Sequence, residues 1–506
     1  MAVAQNPILS GFFPDPSICR VGEDYYLVNS TFSYVPGVPV FHSRDLANWA
    51  WIGHVLTRPE QLPLEGAEMS WGIYAPTLRY HDGVFYMITT NIGGGGNFYV
   101  TAADPGGEWS DPVWLPDAEG IDPSLFFDGD DCWYVGQRQR PGSDRYGDCE
   151  IWVQRLDLEA GKLTGEKFSL WDGSMKNAVW AEGPHLYRQG EYYYLLIAES
   201  GTGFEHSLSV ARSKALLGPY ESCGRNPVFT HRNLGKGYPV QNTGHADLVN
   251  TPDGAWYAVM LATRPLDGCA ELGRETFLAE VVWEDGWPVI NAGEGKLRER
   301  QETALSEVPV PLRAMDSWGS LLRRDAVFFR YPEQDLYTIG GDGVLTLRMQ
   351  ANALPSPESA SYIGVRITAR SFSLRVGVDC VVKQEQEAGL LYLYNAKNHL
   401  RLTVHALAGG GQEVRAILME DGIERIVGAA GLSAGVHTLF MEGNAQRIDL
   451  FADELAVASQ VSVRELCSER AGGFVGCTAG IYAAAHGGER GEARFSPLEA
   501  RFDRTL

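Results

Sequence analysis

"DPSICRVGEDYYLV", residues 15–28, reads as a short apolar strand, a polar turn and an aromatic pair that opens a second strand. The pattern recurs as "APTLRYHDGVFYMI" from Ala75, "DPSLFFDGDDCWYV" from Asp122, "GPHLYRQGEYYYLL" from Gly183 and "HADLVNTPDGAWYAV" from His245. An apolar residue stands three places after each start (Ile18, Leu78, Leu125, Leu186, Leu248), and the aromatic pair opens seven or eight places later, at Tyr25, Phe85, Trp133, Tyr193 and Trp256. Between the units lie further strand-like segments such as "PVFHSRDLANW", "IWVQRLDL" and "LSVARSKALLGPY". Strand-rich units with hairpin turns, repeating every roughly 50 to 60 residues, are what propeller blades look like in sequence. Five copies across residues 1–300 predict a five-bladed β-propeller.

Beyond residue 300 the repeat stops. "NAGEGKLRERQETALSEVPVPLRAMDSW" is charged and proline-bearing, and residues 301–320 read as a linker. From residue 321 to 506, runs such as "SFSLRVGVDCVV", "AGLLYLYN" and "HLRLTVHAL" alternate apolar and polar residues. Period-two alternation with glycine-rich turns predicts an antiparallel β-sandwich of the jelly-roll or concanavalin-like kind. The chain is all-β, with no long helix signature.

Composition narrows the partners. A formal net charge of −22 excludes a nucleic-acid ligand, which requires clustered Lys and Arg. Apolar and charged fractions of 44% and 21% are ordinary for a globular protein, while 13 Trp, 22 Tyr and 20 Phe supply planes suited to sugar rings. The N-terminus lacks a basic segment followed by an apolar one, and no stretch is long enough to span a membrane. A cytoplasmic protein is expected, with self-association neither specified nor excluded. The eight cysteines form no C-x-x-C pair, so neither a zinc site nor a disulfide framework is expected.

The repeat register also places the acids. The innermost strand of each blade lines the central channel, and its leading residue points to one mouth. Those leading positions are Asp15, Ala75, Asp122, Gly183 and His245, with Glu182 one place ahead of the fourth. Three carboxylates from three blades therefore converge. Acids sharing one partly dry site have their proton affinities pushed apart, the condition for acid and base catalysis by paired carboxylates near neutral pH. Glycoside hydrolysis needs such a pair. Phe32, Trp71, Tyr74 and Trp180 lie near the leading positions and are candidate sugar platforms. "NIGGGGNFYV" leads into a strand rather than a helix, which excludes a phosphate cradle and suggests a flexible loop at the pocket rim.

"NPILSGFFPDPSICRVGEDYYLVNSTF", "PGVPVFHSRDLANW", "GIDPSLFFD", "WAEGPHLYR", "NTGHADLV" and "LGRETFL", in this order, resemble glycoside hydrolase family 43, specifically its two-domain β-xylosidases and α-L-arabinofuranosidases. The resemblance implies an inverting exo-glycosidase acting on small oligosaccharides. By motif, Asp15 would be the general base, Glu182 the general acid, and Asp122 a third carboxylate that holds the acid and keeps its pKa high. Arg274 matches an arginine aimed at the sugar and the third carboxylate; the alternative is a surface pair with Glu271 or Glu275. His245 matches a channel histidine that in some members holds a hydrated divalent cation, often calcium, although the chemistry requires no cofactor. Phe474, in "ERAGGFVGCTAG", matches an aromatic by which the C-terminal sandwich closes the pocket. "MSWGIYAPT" departs from many xylosidase relatives, which carry small residues and a tryptophan there, and the choice between terminal xylosyl and arabinofuranosyl residues stays open. Two competitors are weaker. A retaining fructosidase would need an Arg-Asp-Pro, which is absent. A non-catalytic sugar-binding propeller would not need three acids in register.

Overall fold

Five antiparallel sheets form the first 290 residues of the chain. The computed structural model describes every residue except 176, 312–316, 352–360, 434, 488 and 504–506. Blade 1 runs Ser17–Val21, Asp24–Val28, Gly37–Ser43 and Ala50–Leu56, and blade 3 runs Ser124–Asp128, Asp131–Gln139, Cys149–Asp157 and Lys162–Trp171. Blade 2 starts at Thr77–His81, blade 4 at Glu182–Gln189 and blade 5 at Gln241–Asn250. Each repeat unit found in the sequence is thus the first hairpin of a blade: Ile18 pairs with Leu27, Leu78 with Met87, Leu125 with Tyr134, Leu186 with Leu195, and Leu248 with Ala258.

Among the described residues no whole strand is exchanged between the first and last blades, although Leu9 bridges Thr276 of blade 5. A buried polar hub also ties the ring together. Asp247 of blade 5, wholly shielded from solvent, accepts from Ser17 Oγ at 2.6 Å and from the Ile18 N–H at 3.0 Å in blade 1. It accepts as well from Arg79 of blade 2 at 2.8 Å and from the Tyr187 hydroxyl of blade 4 at 2.6 Å. Arg79 Nη2 also meets His185 Nδ1 at 2.9 Å. Burial alone would raise the Asp247 carboxyl, but Arg79 and His185 beside it hold it well below the usual carboxylate range. Burial pushes the His185 imidazole down to about 3.

The end of the propeller is tied back on its start, since Val3–Gln5 pairs with Arg300–Glu302. The predicted linker therefore begins as ordered strand, and at its far end the short helix Trp318–Arg324, opened by a Ser317 cap, crosses the 320/321 boundary. The second half consists of two eight-stranded sheets. One of them recruits the propeller: Phe328 and Phe329 pair with Val35 and Tyr34, so a blade 1 loop supplies its edge strand. One hydrophobic cluster accordingly runs from Phe32 and Leu62 through Trp318 to Leu390 and Tyr482 without a break between the halves. All eight cysteines are buried and free.

Candidate active site

Left-handed backbone marks the site. Asp15 (φ 51°), Asp122 (φ 53°), Gly183 (φ 56°) and His245 (φ 48°) occupy equivalent leading positions, and all four lie in the small region that only Gly and, less readily, Asp, Asn and His adopt at low cost. In blades 4 and 5 the left-handed residue sits at a register irregularity within the first strand, and in blades 1 and 3 just before it. Each kink turns its side chain, or in blade 4 the neighbouring Glu182, into a cavity of about 400 Å³. Ala75 is the fifth leading residue and lines the same cavity without a charge.

The three carboxylates differ in their surroundings. Asp15 is buried; its Oδ2 accepts from Ser30 Oγ at 2.6 Å and its Oδ1 from Arg274 Nη1 at 2.7 Å. Among the described residues, Asp122 accepts one N–H, from Gly183, at 3.2 Å. Burial raises its pKa to about 6, with the Asp15 charge adding and His245, the Gly183 N–H and Arg274 opposing. Glu182 is raised well above the ordinary carboxyl value, first by loss of water in the cavity, then by Asp122 and Asp15, with Arg274 opposing. One acid anchored on two donors and one biased toward its protonated form make a pair able to take a proton and give one.

Arg274 is the neutralising cation. It bonds Asp15 rather than Asp122, lies 5.5 Å from the Phe32 ring centre and reaches the Phe474 carbonyl at 3.4 Å. The competing partners are engaged elsewhere, Glu275 with Arg264 and Glu271 with Arg370. Phe474 comes from the sandwich. Its ring stacks on Phe32 at 6.2 Å and stands edge-on to Tyr74 at the same distance. Its N–H donates to Ser70 Oγ at 3.0 Å, and the preceding Gly473 (φ +80°) is needed there because a Cβ would meet that oxygen at 2.6 Å.

Phe32, Tyr74 and Trp180 line the cavity. Trp71 does not: its ring lies over Gly93, where a Cβ would come within 2.7 Å of it, and it is 42% exposed. The glycine run is a tight turn between two strands, and residues 93–96 do not line the cavity. Gly93 and Gly95 are flattened under the indoles of Trp71 and Trp114, which only residues without a Cβ permit. His245 packs its ring against Gly183. Among the described residues, no three of His, Cys, Asp and Glu group as metal ligands. A lone imidazole is a poor fit for calcium, which seeks six to eight oxygens.

Sequence reasoning missed Tyr146, Thr202 and His206, which also line the cavity. Tyr146 is 84% exposed and stands edge-on to Trp180 at 4.8 Å. His206 is buried, pushed down to about 4 by desolvation, and faces the Asn242 carbonyl at 3.0 Å. All three sit on connections outside the repeated hairpin, so the register carried no signal for them.

Residues 4–288 match the family profile of "Glycosyl hydrolases family 43", and residues 322–501 match "Beta xylosidase C-terminal Concanavalin A-like domain". The chain is 47% identical to a "Xylosidase/arabinosidase" of Butyrivibrio fibrisolvens, over 96% of this chain and 97% of that protein. It is 39% identical to a "Non-reducing end alpha-L-arabinofuranosidase" of Bacteroides ovatus, covering 96% and 92%. Its fold superimposes on the crystal structure of a xylan beta-1,4-xylosidase from Bacillus halodurans with a TM-score of 0.90 at 32% identity, covering 98% and 100% of the two chains.

Proposed function

The chain belongs to the family 43 glycosyl hydrolases, and from that premise we propose that it removes single β-D-xylosyl residues, and α-L-arabinofuranosyl residues as a second substrate, from the non-reducing ends of oligosaccharides, with inversion. The observation that carries the reading is the convergence of Asp15, Asp122 and Glu182 in one cavity whose wall includes Phe474 of the other half of the chain. A pocket closed on that side holds one terminal sugar rather than the middle of a chain.

In this reading Glu182, with its raised pKa, gives its proton to the glycosidic oxygen as the bond to the anomeric carbon breaks. Asp15 takes a proton from the water that attacks the opposite face of the ring, its carboxylate oriented by Ser30 and Arg274. Water then returns the proton to Glu182. Asp122 supports the acid through charge, since its own ionisation raises Glu182 further.

Proton NMR of the first minutes of aryl β-D-xyloside hydrolysis tests the stereochemistry. α-Xylose should appear before mutarotation, and β-xylose appearing first would overturn the inverting reading. Glu182→Gln should cut kcat/KM on xylobiose by about 10²–10⁴. Glu182 must carry its proton, so wild-type activity falls as pH rises through the raised pKa, and the variant should lack that alkaline limb. Side-by-side rates on the two aryl glycosides rank the sugars.

A further inference from the structure

His206 lines the catalytic cavity but takes no part in the proton transfers described above. It ends the turn 203–206 of blade 4, which its N–H closes on the Gly203 carbonyl at 3.0 Å, and its own carbonyl accepts from Thr230 Oγ1 at 2.8 Å. Its ring packs on Gly244 of blade 5, where a Cβ would collide with it. Backbone and ring are thus fixed from two blades, and the residue is 1% exposed.

The two ring nitrogens differ. Nδ1 faces the Asn242 carbonyl at 3.0 Å, and because a carbonyl can only accept, Nδ1 carries the hydrogen. Burial pushes the imidazole down to about 4, with the Asn242 carbonyl and Asp15 opposing and His245 and Arg274 adding, so the ring is neutral near pH 7. Nε2 is then a bare lone pair. Among the described residues no donor reaches it, and it is not sealed within the protein, so it opens onto the cavity that the residue lines. An acceptor held this deep is costly to leave unmet, and the missing donor has to come from what enters the cavity. Beside Arg274, three carboxyls and aromatic faces, a neutral acceptor suits the O–H of an uncharged sugar.

We propose that His206 is a substrate-binding residue whose Nε2 accepts a hydrogen bond from a hydroxyl of the terminal sugar, and so helps set which ring hydroxyls the cavity demands. The assignment rests on the glycosidase reading above and adds a specificity-determining residue to it.

Steady-state kinetics on an aryl β-D-xyloside and on its 2-, 3- and 4-deoxy analogues test it, with two substitutions that separate the ring nitrogens. His206→Asn keeps a donor near the Nδ1 position and removes the acceptor, whereas His206→Gln can bring an amide oxygen to the Nε2 position. His206→Asn should lower kcat/KM on the parent xyloside by about tenfold or more, the scale of one lost hydrogen bond to a buried acceptor, and His206→Gln should be the less impaired of the two. On the analogue that lacks the partner hydroxyl, wild type and His206→Asn should agree within about twofold, because the bond is already gone. In wild-type protein the nitrogen-15 resonance of Nε2 should move upfield on saturation with D-xylose, a reading that needs no folded variant. His206→Asn turning over like wild type, His206→Gln no better than His206→Asn, an equal loss on the parent and all three analogues, or an unmoved Nε2 resonance would each overturn the assignment alone. Wild-type protein that cleaves neither aryl β-D-xyloside nor aryl α-L-arabinofuranoside would overturn the glycosidase reading and the assignment with it.

Discussion

Arg274 sets the electrostatics of the catalytic cavity one residue at a time. It bonds Asp15 and opposes the upward shifts of both Asp122 and Glu182. Removing its charge raises the Glu182 pKa further, and because the protonated acid is the active form, the alkaline limb of the rate profile moves to higher pH. Arg274→Gln should show this shift together with a fall in kcat/KM of about 10²-fold, the scale of lost orientation at a reacting centre; a pH–rate profile checks both. Arg274→Lys should not restore the rate, since a point charge cannot serve Asp15 and the Phe474 carbonyl from one planar group. Much of this residue-level picture was written in the chain. Four of the five leading positions of the repeat hold Asp, Asp, Gly and His, residues that tolerate left-handed backbone, and that is the conformation all four adopt. Trp71 misled because nearness in sequence to Tyr74 says nothing of which way a ring turns, and the glycines beside it had already made room elsewhere.

The element that completes the pocket is the loop carrying Phe474, held from both halves of the chain. Ser70 and Arg274 bind its backbone from the propeller, and Tyr394 donates its hydroxyl to the Gly472 carbonyl from the sandwich. At 41% exposed, the Phe474 ring contributes shape more than stability. Phe474→Ala should lower kcat/KM on aryl β-D-xyloside by about 10- to 100-fold with a melting temperature within a few degrees of wild type, since exposed positions shift stability little; steady-state kinetics and a thermal melt check the pair. Repeated hairpins were legible because each buries the same apolar residue at the same offset. A second layer was equally legible and went unread. Two places beyond each leading residue stand Ser17, Thr77, Ser124, His185 and Asp247, all polar and all buried. In a strand of period two they face the channel one step deeper, and this is the layer that joins the blades.

At the scale of the whole molecule the Asp247 hub ties four blades together, so its chemistry governs how the ring responds to acid. His185, at about 3 in the folded chain, lies below its ordinary value of 6.5, so unfolded chains bind the extra proton and stability declines as pH falls from 6.5 toward 3. Asp247 and the buried Glu387 of the sandwich, both held below the usual carboxylate range, add the same sign below pH of about 4. Urea midpoints measured from pH 7 to 4 should therefore drop steadily. Asp247→Asn should cost about 3–5 kcal/mol at pH 7 by leaving the Arg79 cation buried without its carboxylate. At this scale the sequence foretold two β-rich bodies but not their seam, because the pairing of Tyr34 and Val35 with Phe329 and Phe328 joins residues some three hundred positions apart with no shared pattern. That seam makes the two bodies interdependent: severing them would strip Tyr34 and Val35 of their strand partners and remove the Phe474 side of the catalytic chamber.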